Sequence, residues 1–456
     1  MSNDRCVIGI DLGGTKIAGA VFALANGNGA GEAGHRLAAA DDAPWPKPLA
    51  VAERPTLAQE GPEAGTRQLL AVVEELVAAS GGRKLAGVGI GSPGPLDAQA
   101  GLILDPPNLP GWHQWPLVRL VREAVGVPVV LDNDANLAAL GEHRFGAGRG
   151  TQHMFYVTLG TGIGGAAIVG GQLYRGHTGG AGEVGHIRVE PGEAGGGGGA
   201  AEAPLCSCGH RGCVEAYAAG WGIAKAAGAR DAGEVFAAAD SGDARAQAVL
   251  AMAAAALGRG LAAACTLFDP EVVVAGGGMA MAAGRAADSY FAAVERTMRE
   301  AAFGQTAGRV AFVRARLGRL AGTLGAAALV LDELPPPPQP PRVVEKPWGR
   351  EVWWAQTQRY VGKVIEVKAG ASLSLQYHRQ KLETMLFVAG EGTMVLGDEV
   401  VVVRPGTVLT IPAGTVHRVS ALTDLTFYEV STPEVQDVVR LRDDYGRADT
   451  PNDQIK

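Results

Sequence analysis

The sequence predicts an α/β region followed by an all-β domain, and three observations support this fold class. In residues 1–333, strand-like and helix-like segments alternate in a chain rich in alanine and glycine. The proline-rich "LPPPPQPPR", from Leu334 to Arg342, predicts an extended spacer of roughly 20 Å. In residues 342–456, valine-rich runs separated by glycine-containing turns predict a small antiparallel barrel or sandwich. We therefore expect two domains joined by a linker at 334–341.

Composition excludes several classes of protein. The 456 residues are 47% hydrophobic, contain only five cysteines and carry a net charge of −7, and the basic residues are dispersed. Nucleic acid is therefore not an expected partner, because binding it needs a clustered basic surface. No signal peptide is expected, and apolar stretches such as "MAAAALGRGLAAAC", interrupted by Arg259, are expected to be too short to span a membrane. We expect a cytoplasmic protein.

Two glycine-rich segments predict hairpins that approach phosphate. In "VIGIDLGGTKIAGAVF", Gly13 and Gly14 allow close backbone approach, and Thr15 and Lys16 offer a hydroxyl and an ammonium group. The segment "FYVTLGTGIGGAAIVGGQLY" repeats this pattern with Gly160, Thr161, Gly162, Gly164 and Gly165. Neither is a Walker or Rossmann loop, because a strand follows where those motifs need a helix. Each alone is equally compatible with an ordinary glycine hairpin.

A carboxylate lies where a buried strand turns into a helix. "VPVVLDNDANLAALGE" predicts this transition near Asp134. In α/β folds a carboxylate at this end of a strand commonly faces the ligand crevice, so Asp134 is a candidate for contact with a ligand. The alternative is that Asp132 or Asp134 caps the helix.

Three of the five cysteines form a cluster. Cys206, Cys208 and Cys213 lie within "PLCSCGHRGCVEAY", and "GGAGEVGH" upstream supplies Glu183 and His186. One imidazole and three thiolates are the ligand set of a closed tetrahedral zinc site. Three unrelated buried thiols or a redox pair are the alternatives.

The order of these motifs resembles that of the ROK family of sugar kinases, a branch of the actin-like ATPases. DLGGTK, DNDAN, LGTGIGG and the AGGG of Ala275–Gly278 follow one another, and C-x-C-G-x-x-G-C-x-E matches the family's strongest signature. The resemblance covers about residues 5–332, including "NLPGW". It implies two ribonuclease-H-like α/β lobes hinged near residues 130 and 315, and a homodimer.

The resemblance also implies a role for each motif. Asp134 would be the base, His186 and the three cysteines would bind structural zinc, and the hexose would contact Asn133, Asp134, Glu183, His186 and Glu215. Asp11 would face Mg²⁺ through water. The nucleotide ATP would contact Asp11, Gly13, Gly14, Thr15, Lys16, Gly160, Thr161, Gly162, Gly164, Gly276, Gly277 and Gly278.

The C-terminal motifs resemble those of cupins. "GASLSLQYHRQKLETMLFVAGEG" and "GTVLTIPAGTVH" are similar to the two cupin motifs, and "EKPWG" and "VVRLRDDYGR" look like phosphomannose isomerases over residues 342–448. The resemblance implies a divalent ion (Zn²⁺, Mn²⁺ or Fe²⁺) held by Gln376, His378, Glu383 and His417. Arg379 and Lys381 are candidates for holding a substrate phosphate.

Together these motifs predict a bifunctional enzyme. ATP-dependent phosphorylation of mannose, glucose or fructose would yield a hexose 6-phosphate, and the cupin would interconvert mannose 6-phosphate and fructose 6-phosphate. An alternative is a glucose or N-acetylhexosamine kinase whose cupin senses sugar phosphate without turnover. A sugar-responsive repressor is disfavoured, because six residues precede "VIGIDLGG" and leave no room for a helix-turn-helix.

Overall fold

A computed structural model describes residues 4–25, 36–38, 45–190, 203–334, 340–357 and 359–446. The chain divides near residue 335 into two compact units. Residues 193–202 of the glycine-rich segment and residues 335–339 of the predicted linker lie outside the described residues.

The first lobe of the N-terminal unit contains a five-stranded sheet. Its strands are β1 (Arg5–Leu12), β2 (Lys16–Ala23), β3 (Ala50–Pro55), β4 (Lys84–Ser92) and β7 (Val129–Asn133), with a ribbon of β5 (Leu96–Asp97) and β6 (Leu102–Ile103). The order is β3-β2-β1-β4-β7, and β1, β4 and β7 are parallel. The helices are α1 (Pro62–Ala78), α2 (Leu117–Val125), α3 (Asp134–Phe145) and α10 (Ala321–Glu333).

Glycines allow α10 to lie directly on this sheet. A Cβ at Gly9 would come within 1.9 Å of the carbonyl oxygen of Thr323, and one at Gly89 within 2.0 Å of that of Ala326. Any side chain at either strand position would therefore push the helix away. Helix α10, the last of the unit, therefore packs directly against β1 and β4.

The second lobe is a second α/β layer. Its sheet has the order β10-β9-β8-β11-β12, with β8 (Met154–Leu159), β9 (Ile163–Val169), β10 (Gln172–Tyr174), β11 (Val272–Gly276) and β12 (Ala311–Arg314). Its helices are α4 (Val214–Ala218), α5 (Gly220–Ala227), α6 (Ala232–Asp240), α7 (Ala244–Phe268), α8 (Arg285–Ala301) and α9 (Gly304–Ala307). The chain leaves the first sheet through α3 and residues 146–153, and returns through residues 315–320.

Helix α7 corrects the expectation about apolar length. It runs unbroken for 25 residues, with a mean hydropathy of 1.7 over an 18-residue window, so by length and composition it is long enough to cross a membrane. Arg259 does not interrupt it, because that side chain lies on an exposed face. Of that window, 67% is buried inside the protein, as in the core helix of a globular lobe.

The C-terminal unit consists of two antiparallel sheets. One has the order β13-β14-β15-β22-β17-β20 and the other β19-β18-β21-β16-β23. Phe387 and Phe427 from the first pack with Met394 and Val419 from the second in one apolar core. The strands are β13 (Arg342–Lys346), β14 (Gly349–Gln356), β15 (Val361–Val367), β16 (Leu375–Tyr377), β17 (Glu383–Ala389), β18 (Gly392–Leu396), β19 (Glu399–Val403), β20 (Val408–Ile411), β21 (His417–Ala421), β22 (Leu425–Ser431) and β23 (Val439–Arg442).

Candidate active site

Acidic residues converge where three parallel strands end. In the register of β1, β4 and β7, Asp11 lies beside Gly91, and Gly91 beside Asp132. Asp134 follows as the first residue of α3. Ligands of open α/β sheets bind at this edge. The strand order therefore brings Asp11 and Asp134 to one site from distant parts of the sequence.

The cap of α3 is Asn133. Its side-chain oxygen accepts hydrogen bonds from the backbone N–H groups of Ala135 (3.0 Å) and Asn136 (3.4 Å). The N-cap residue is therefore neither Asp132 nor Asp134, although Asp134 Oδ1 also accepts a hydrogen bond from the Ala135 N–H (2.8 Å). Asp134 is partly buried at the N-terminal end of the helix, where the partial positive charge favours a carboxylate.

Burial raises the pKa of both cleft aspartates. It raises the pKa of Asp134, although hydrogen bonds from the Ala135 backbone and the Asn133 side chain oppose the shift. Burial, and then the negative charge of Asp134, raise the pKa of Asp11 to about 6, although the ammonium of Lys16 opposes this. A carboxylate that resists ionisation has a stronger tendency to take up a proton, as a general base must.

Glu183 and Glu215 enter the same site from the second lobe. Burial raises the pKa of Glu183, and the charges of Asp134 and Glu215 add to the rise. Glu215 is buried, and its Oε2 accepts a hydrogen bond from the Ile163 N–H in the second hairpin (2.9 Å). Its Oε1 accepts another from the hydroxyl of Ser207, between the first two cysteines of the cluster (2.8 Å). The cysteine loop and the hairpin thus hold Glu215 from both sides.

An ion pair that sequence patterns did not indicate flanks the site. Arg175 of the second lobe donates from Nε to Oδ2 of the buried Asp132, at 2.7 Å. The other oxygen of Asp132 accepts from Nδ2 of Asn136, at 2.8 Å. Asp132 is therefore a buried anchor beside Asn133 and Asp134, and no motif near Arg175 would have identified its partner.

The first hairpin forms as predicted between β1 and β2. The N–H of Gly13 donates to the carbonyl of Lys16 (2.9 Å) and closes the turn. A Cβ at Gly14 would lie 2.5 Å from the carbonyl oxygen of Asn108, so the "NLPGW" segment packs directly on the loop. The ammonium of Lys16 pairs with the exposed Glu53 at 2.8 Å, so it reaches phosphate only by leaving that partner.

The second hairpin borders a pocket of about 470 Å³ within the second lobe. Gly160, Thr161 and Gly278, from the predicted nucleotide loops, line it. Further lining residues that the sequence patterns did not identify include Trp221, Arg230 and Phe236. Gly277 has a φ of +84°, and a Cβ at this position would lie within 3 Å of the Leu159 backbone. Both facts explain why the position needs glycine. Another pocket, of about 570 Å³ between α6, α7 and α8, contains none of the predicted residues.

His186, Cys206, Cys208 and Cys213 come together as predicted. Their ligand atoms all lie within 4.8 Å of one another. Cys208 Sγ is 3.7 Å from Cys213 Sγ, and Cys206 Sγ is 3.6 Å from His186 Nδ1. Zinc bonds of about 2.3 Å to sulfur and 2.0–2.1 Å to nitrogen, in a tetrahedron, require separations of about 3.8 and 3.6 Å. The two measured separations therefore fit a zinc ion held by these four side chains.

The thiols differ in their readiness to ionise. A hydrogen bond from the His210 backbone lowers the pKa of Cys208 to about 6, although burial opposes it. Burial raises the pKa of Cys213 to about 12. A bound cation deprotonates a coordinating thiol outright, so metal binding at these four residues would release protons.

The C-terminal unit brings His378, Glu383 and His417 together, all of them buried. His378 Nδ1 contacts the carbonyl of Asp437, and His417 Nδ1 contacts that of Thr415 (2.9 Å), so each imidazole turns Nε2 inward. Glu383 Oε1 lies 2.9 Å from His417 Nε2 and 3.6 Å from His378 Nε2, and His378 Nε2 is buried without a hydrogen-bond partner among the described residues. A carboxylate oxygen that converges with two ring nitrogens oriented by carbonyls fits a divalent cation.

Gln376 completes the set from β16. It lies opposite His417 in the strand register, and its Nε2 is 3.5 Å from His417 Nε2. Its Oε1 accepts from Ser374 instead (3.2 Å). Because a half-turn of the amide exchanges these two atoms, the oxygen can take the inward position that a ligand requires.

Lys381 lies inside the C-terminal unit. Its ammonium contacts Glu383 and is 2.7 Å from Glu429, which also pairs with the buried Lys363 at 3.2 Å. Burial alone would raise the pKa of Glu383, but the hydrogen bond from His417 and the charge of Lys381 lower this pKa to about 2. Of the two candidate phosphate ligands, Arg379 is exposed and Lys381 is not.

The two units match different protein families. Residues 7–333 match the ROK family model, and residues 339–443 match the model described as mannose-6-phosphate isomerase C-terminal. The chain is 33% identical over 347 residues to the glucokinase of Thermotoga maritima, covering 72% of this chain and 98% of that protein. It is 34% identical over 332 residues to the N-acetylmannosamine kinase of Escherichia coli, with the same two coverages.

Solved structures support the same assignment. The crystal structure of a ROK family glucokinase from Streptomyces griseus, in complex with glucose and AMPPNP, superposes with a TM-score of 0.55 at 32% identity, over 71% of this chain and 98% of that one. The fused arrangement predicted from the motifs is thereby confirmed. The chain belongs to the ROK family, with an actin-like ATPase fold typical of hexokinase-type kinases, and its C-terminal end carries a domain that matches the mannose-6-phosphate isomerase C-terminal model.

Proposed function

We propose that the N-terminal unit transfers the γ-phosphoryl group of ATP to the 6-hydroxyl of a hexose, with Asp134 as general base. The observation that carries this proposal is the convergence of Asp134 with Asn133, Glu183 and Glu215 beside the glycine hairpins. Carboxylate and amide groups bind sugar hydroxyls, and one carboxylate of raised pKa among them suits proton removal.

In this reaction one bond to the γ-phosphorus forms as another breaks on its opposite side. The sugar oxygen attacks the γ-phosphorus, its proton passes to a carboxylate oxygen of Asp134, and the bond to ADP breaks. Mg²⁺, when bound near Asp11, supplies charge neutralisation for the phosphates. The chain supplies positioning: Asn133 and Glu183 hold the sugar, and the glycines of the hairpins allow the backbone to approach the phosphates closely.

We assign adenosine to the pocket of about 470 Å³ beside Gly278. Its size falls in the range of small-ligand sites, and Trp221 and Phe236 offer aromatic surface for a purine. Gly160 and Thr161 line the same pocket, so phosphates leaving it would run along the second hairpin toward Asp134.

We assign structural zinc to His186 and the three cysteines. The ion would fix the loop that carries Ser207, whose hydroxyl holds Glu215, and would orient His186 toward the sugar. Its role would be to position these sugar-binding groups, because a site with four protein ligands has no open position for substrate.

An ADP-release assay tests the kinase proposal. Mannose, glucose, fructose and N-acetylhexosamines are supplied one at a time with MgATP, and phosphorus NMR identifies the product. We expect a hexose 6-phosphate. No ADP release from any hexose would contradict the proposal, and activity confined to an N-acetylhexosamine would favour the alternative substrate that the N-acetylmannosamine kinase relative suggests.

We propose that the C-terminal unit is a cupin barrel that interconverts mannose 6-phosphate and fructose 6-phosphate with a bound divalent ion. The inward Nε2 atoms of His378 and His417, which converge on Glu383 Oε1 at 3.6 Å and 2.9 Å, support the metal. Isomerisation moves a proton between C2 and C1, and a cation that polarises the carbonyl lowers its barrier.

Exchange spectroscopy of the two sugar phosphates tests this second proposal. We expect wild-type protein to exchange them and His417→Ala to lose both exchange and bound metal. Exposed Arg442→Ala, on β23, serves as a surface control. No exchange by fully metal-loaded wild-type protein would favour a cupin that senses sugar phosphate without turnover.

A further inference from the structure

Glu142, on the last turn of α3, is a completely buried carboxylate. Among the described residues, no lysine, arginine or histidine nitrogen lies within ion-pairing distance of it. Its oxygens instead accept hydrogen bonds from three backbone N–H groups: Ala147 at 2.8 Å, Arg316 at 3.0 Å and Leu317 at 2.7 Å. A buried charge is costly unless it is fully hydrogen-bonded, so this carboxylate depends on those N–H groups staying in place.

The three donors belong to the two segments that join the lobes, residues 146–153 and residues 315–320, which we call the crossings. Ala147 follows α3 on the way to β8, and Arg316 and Leu317 follow β12 on the way to α10. These segments are far apart in sequence, and one side chain binds both. Glu142 is therefore the point at which the outgoing and returning crossings are tied together.

Close packing around the carboxylate gives independent support. A Cβ at Gly146 would lie 2.0 Å from Glu142 Oε2, so the backbone wraps the carboxylate directly. Gly141, the residue before Glu142, and Gly325 bring α3 and α10 into backbone contact: a Cβ at Gly141 would lie 2.3 Å from the carbonyl oxygen of Ala321, and one at Gly325 1.7 Å from that of Leu137. The joint between the lobes is therefore packed around this charge.

We infer that Glu142 is a positioning residue for phosphoryl transfer. It lies on the same helix as Asp134, about 12 Å further along at 1.5 Å per residue. Fixing the far end of α3 to both crossings fixes the direction in which Asp134 faces the second lobe, which carries the nucleotide pocket. Misplacement of reacting groups by about 1 Å can cost on the order of a hundredfold in rate.

The variant Glu142→Gln tests this role. The amide has nearly the same size but only one oxygen, so its NH₂ group faces a backbone N–H. With MgATP and the sugar that the wild-type enzyme phosphorylates fastest, we expect kcat to fall on the order of tenfold to a hundredfold. The Kd for ADP should stay within about twofold, because the pocket lies wholly in the second lobe.

Two controls separate positioning from loss of stability. Asp332→Asn removes the exposed Arg144–Asp332 pair, which joins the same two helices, and should leave kcat unchanged. Val73→Ala creates a cavity in the first-lobe core, far from either crossing, and should lower Tm without lowering kcat when assayed well below its Tm.

Any of three outcomes would overturn the inference. The first is a Glu142→Gln enzyme with wild-type kcat. The second is a loss of kcat accompanied by a similar loss of ADP affinity, and the third is a loss of kcat that Val73→Ala matches. If Glu142→Gln does not fold, Glu142→Asp, which keeps the charge and shortens its reach, is measured against the same criteria.

Discussion

At the scale of single residues, the kinase site depends on carboxylates whose surroundings differ. The carboxylate of Asp132 pairs with Arg175 and accepts a hydrogen bond from Asn136, whereas that of Asp134, two residues later, lies at the cleft. The difference follows from the helix that begins at Asp134. Asp132 lies inside β7 in the interior, whereas Asp134 begins α3 at the ligand edge.

The pH dependence of the kinase reaction should report the raised pKa of Asp134. A base acts when deprotonated, so activity is lost as the pH falls through its pKa. Because burial raises the pKa of Asp134 above the ordinary 3.8, and that of Asp11 to about 6, we expect kcat/KM to decline at a higher pH than ordinary aspartates would give. Initial rates between pH 4 and 8 measure this.

The substitution Asp134→Asn should lower kcat by about 10²–10⁴-fold, because the amide cannot accept the hydroxyl proton. Sugar affinity measured by calorimetry should change far less, since the amide still hydrogen-bonds. Asp332→Asn is the exposed control. An Asp134→Asn enzyme that retains wild-type kcat would exclude Asp134 as the base.

At the scale of elements, the cysteine loop and the second hairpin act as a pair. The loop supports Glu215 through Ser207, and the hairpin supports it through Ile163. A Cβ at Gly162 would lie 2.8 Å from Glu215 Oε2, so the hairpin must be glycine there for the carboxylate to fit. The position of Glu215 therefore depends on both elements.

Replacing one zinc ligand should weaken sugar binding more than nucleotide binding. We expect Cys208→Ser to lose bound zinc, measured by mass spectrometry, and to raise the KM for the sugar, because Ser207 and His186 lose their common anchor. The KM for ATP should change little. Cys265→Ala, in α7 away from the cluster, is the control. Unchanged zinc content and kinetics in Cys208→Ser would contradict the structural role.

At the scale of the whole molecule, each unit has its own apolar core. Phe387 and Phe427 belong to the C-terminal core, whereas Phe155 and Phe291 belong to the core of the second kinase lobe. A domain with its own core can in principle fold alone.

A chain ending at Leu334 should therefore retain kinase activity. We expect its kcat and its KM for sugar and ATP to match those of the full chain, and we expect it to lack sugar-phosphate exchange. Steady-state kinetics and circular dichroism of the shortened chain measure this. A folded but inactive chain would show that the C-terminal unit takes part in the kinase reaction.

Much of the candidate site could be predicted from local patterns. Glycine hairpins, a strand that turns into a helix at Asp134, and closely spaced cysteines each have a signature within a few residues, because turn geometry and ligand spacing are local properties. The length of α7 could not be predicted in this way, since an arginine on an exposed helix face interrupts the apolar sequence but not the helix.

By itself, the sequence determined the two-part architecture, the motifs that identify the family and the side chains available for chemistry. Only the tertiary structure decided their partners: Arg175 for Asp132, Glu429 for Lys381, and the backbone of both lobe crossings for Glu142. The physical reason is that burying a charge requires a compensating group, which the fold can supply from any point in the chain. Periodicity and spacing carry no record of such distant partners.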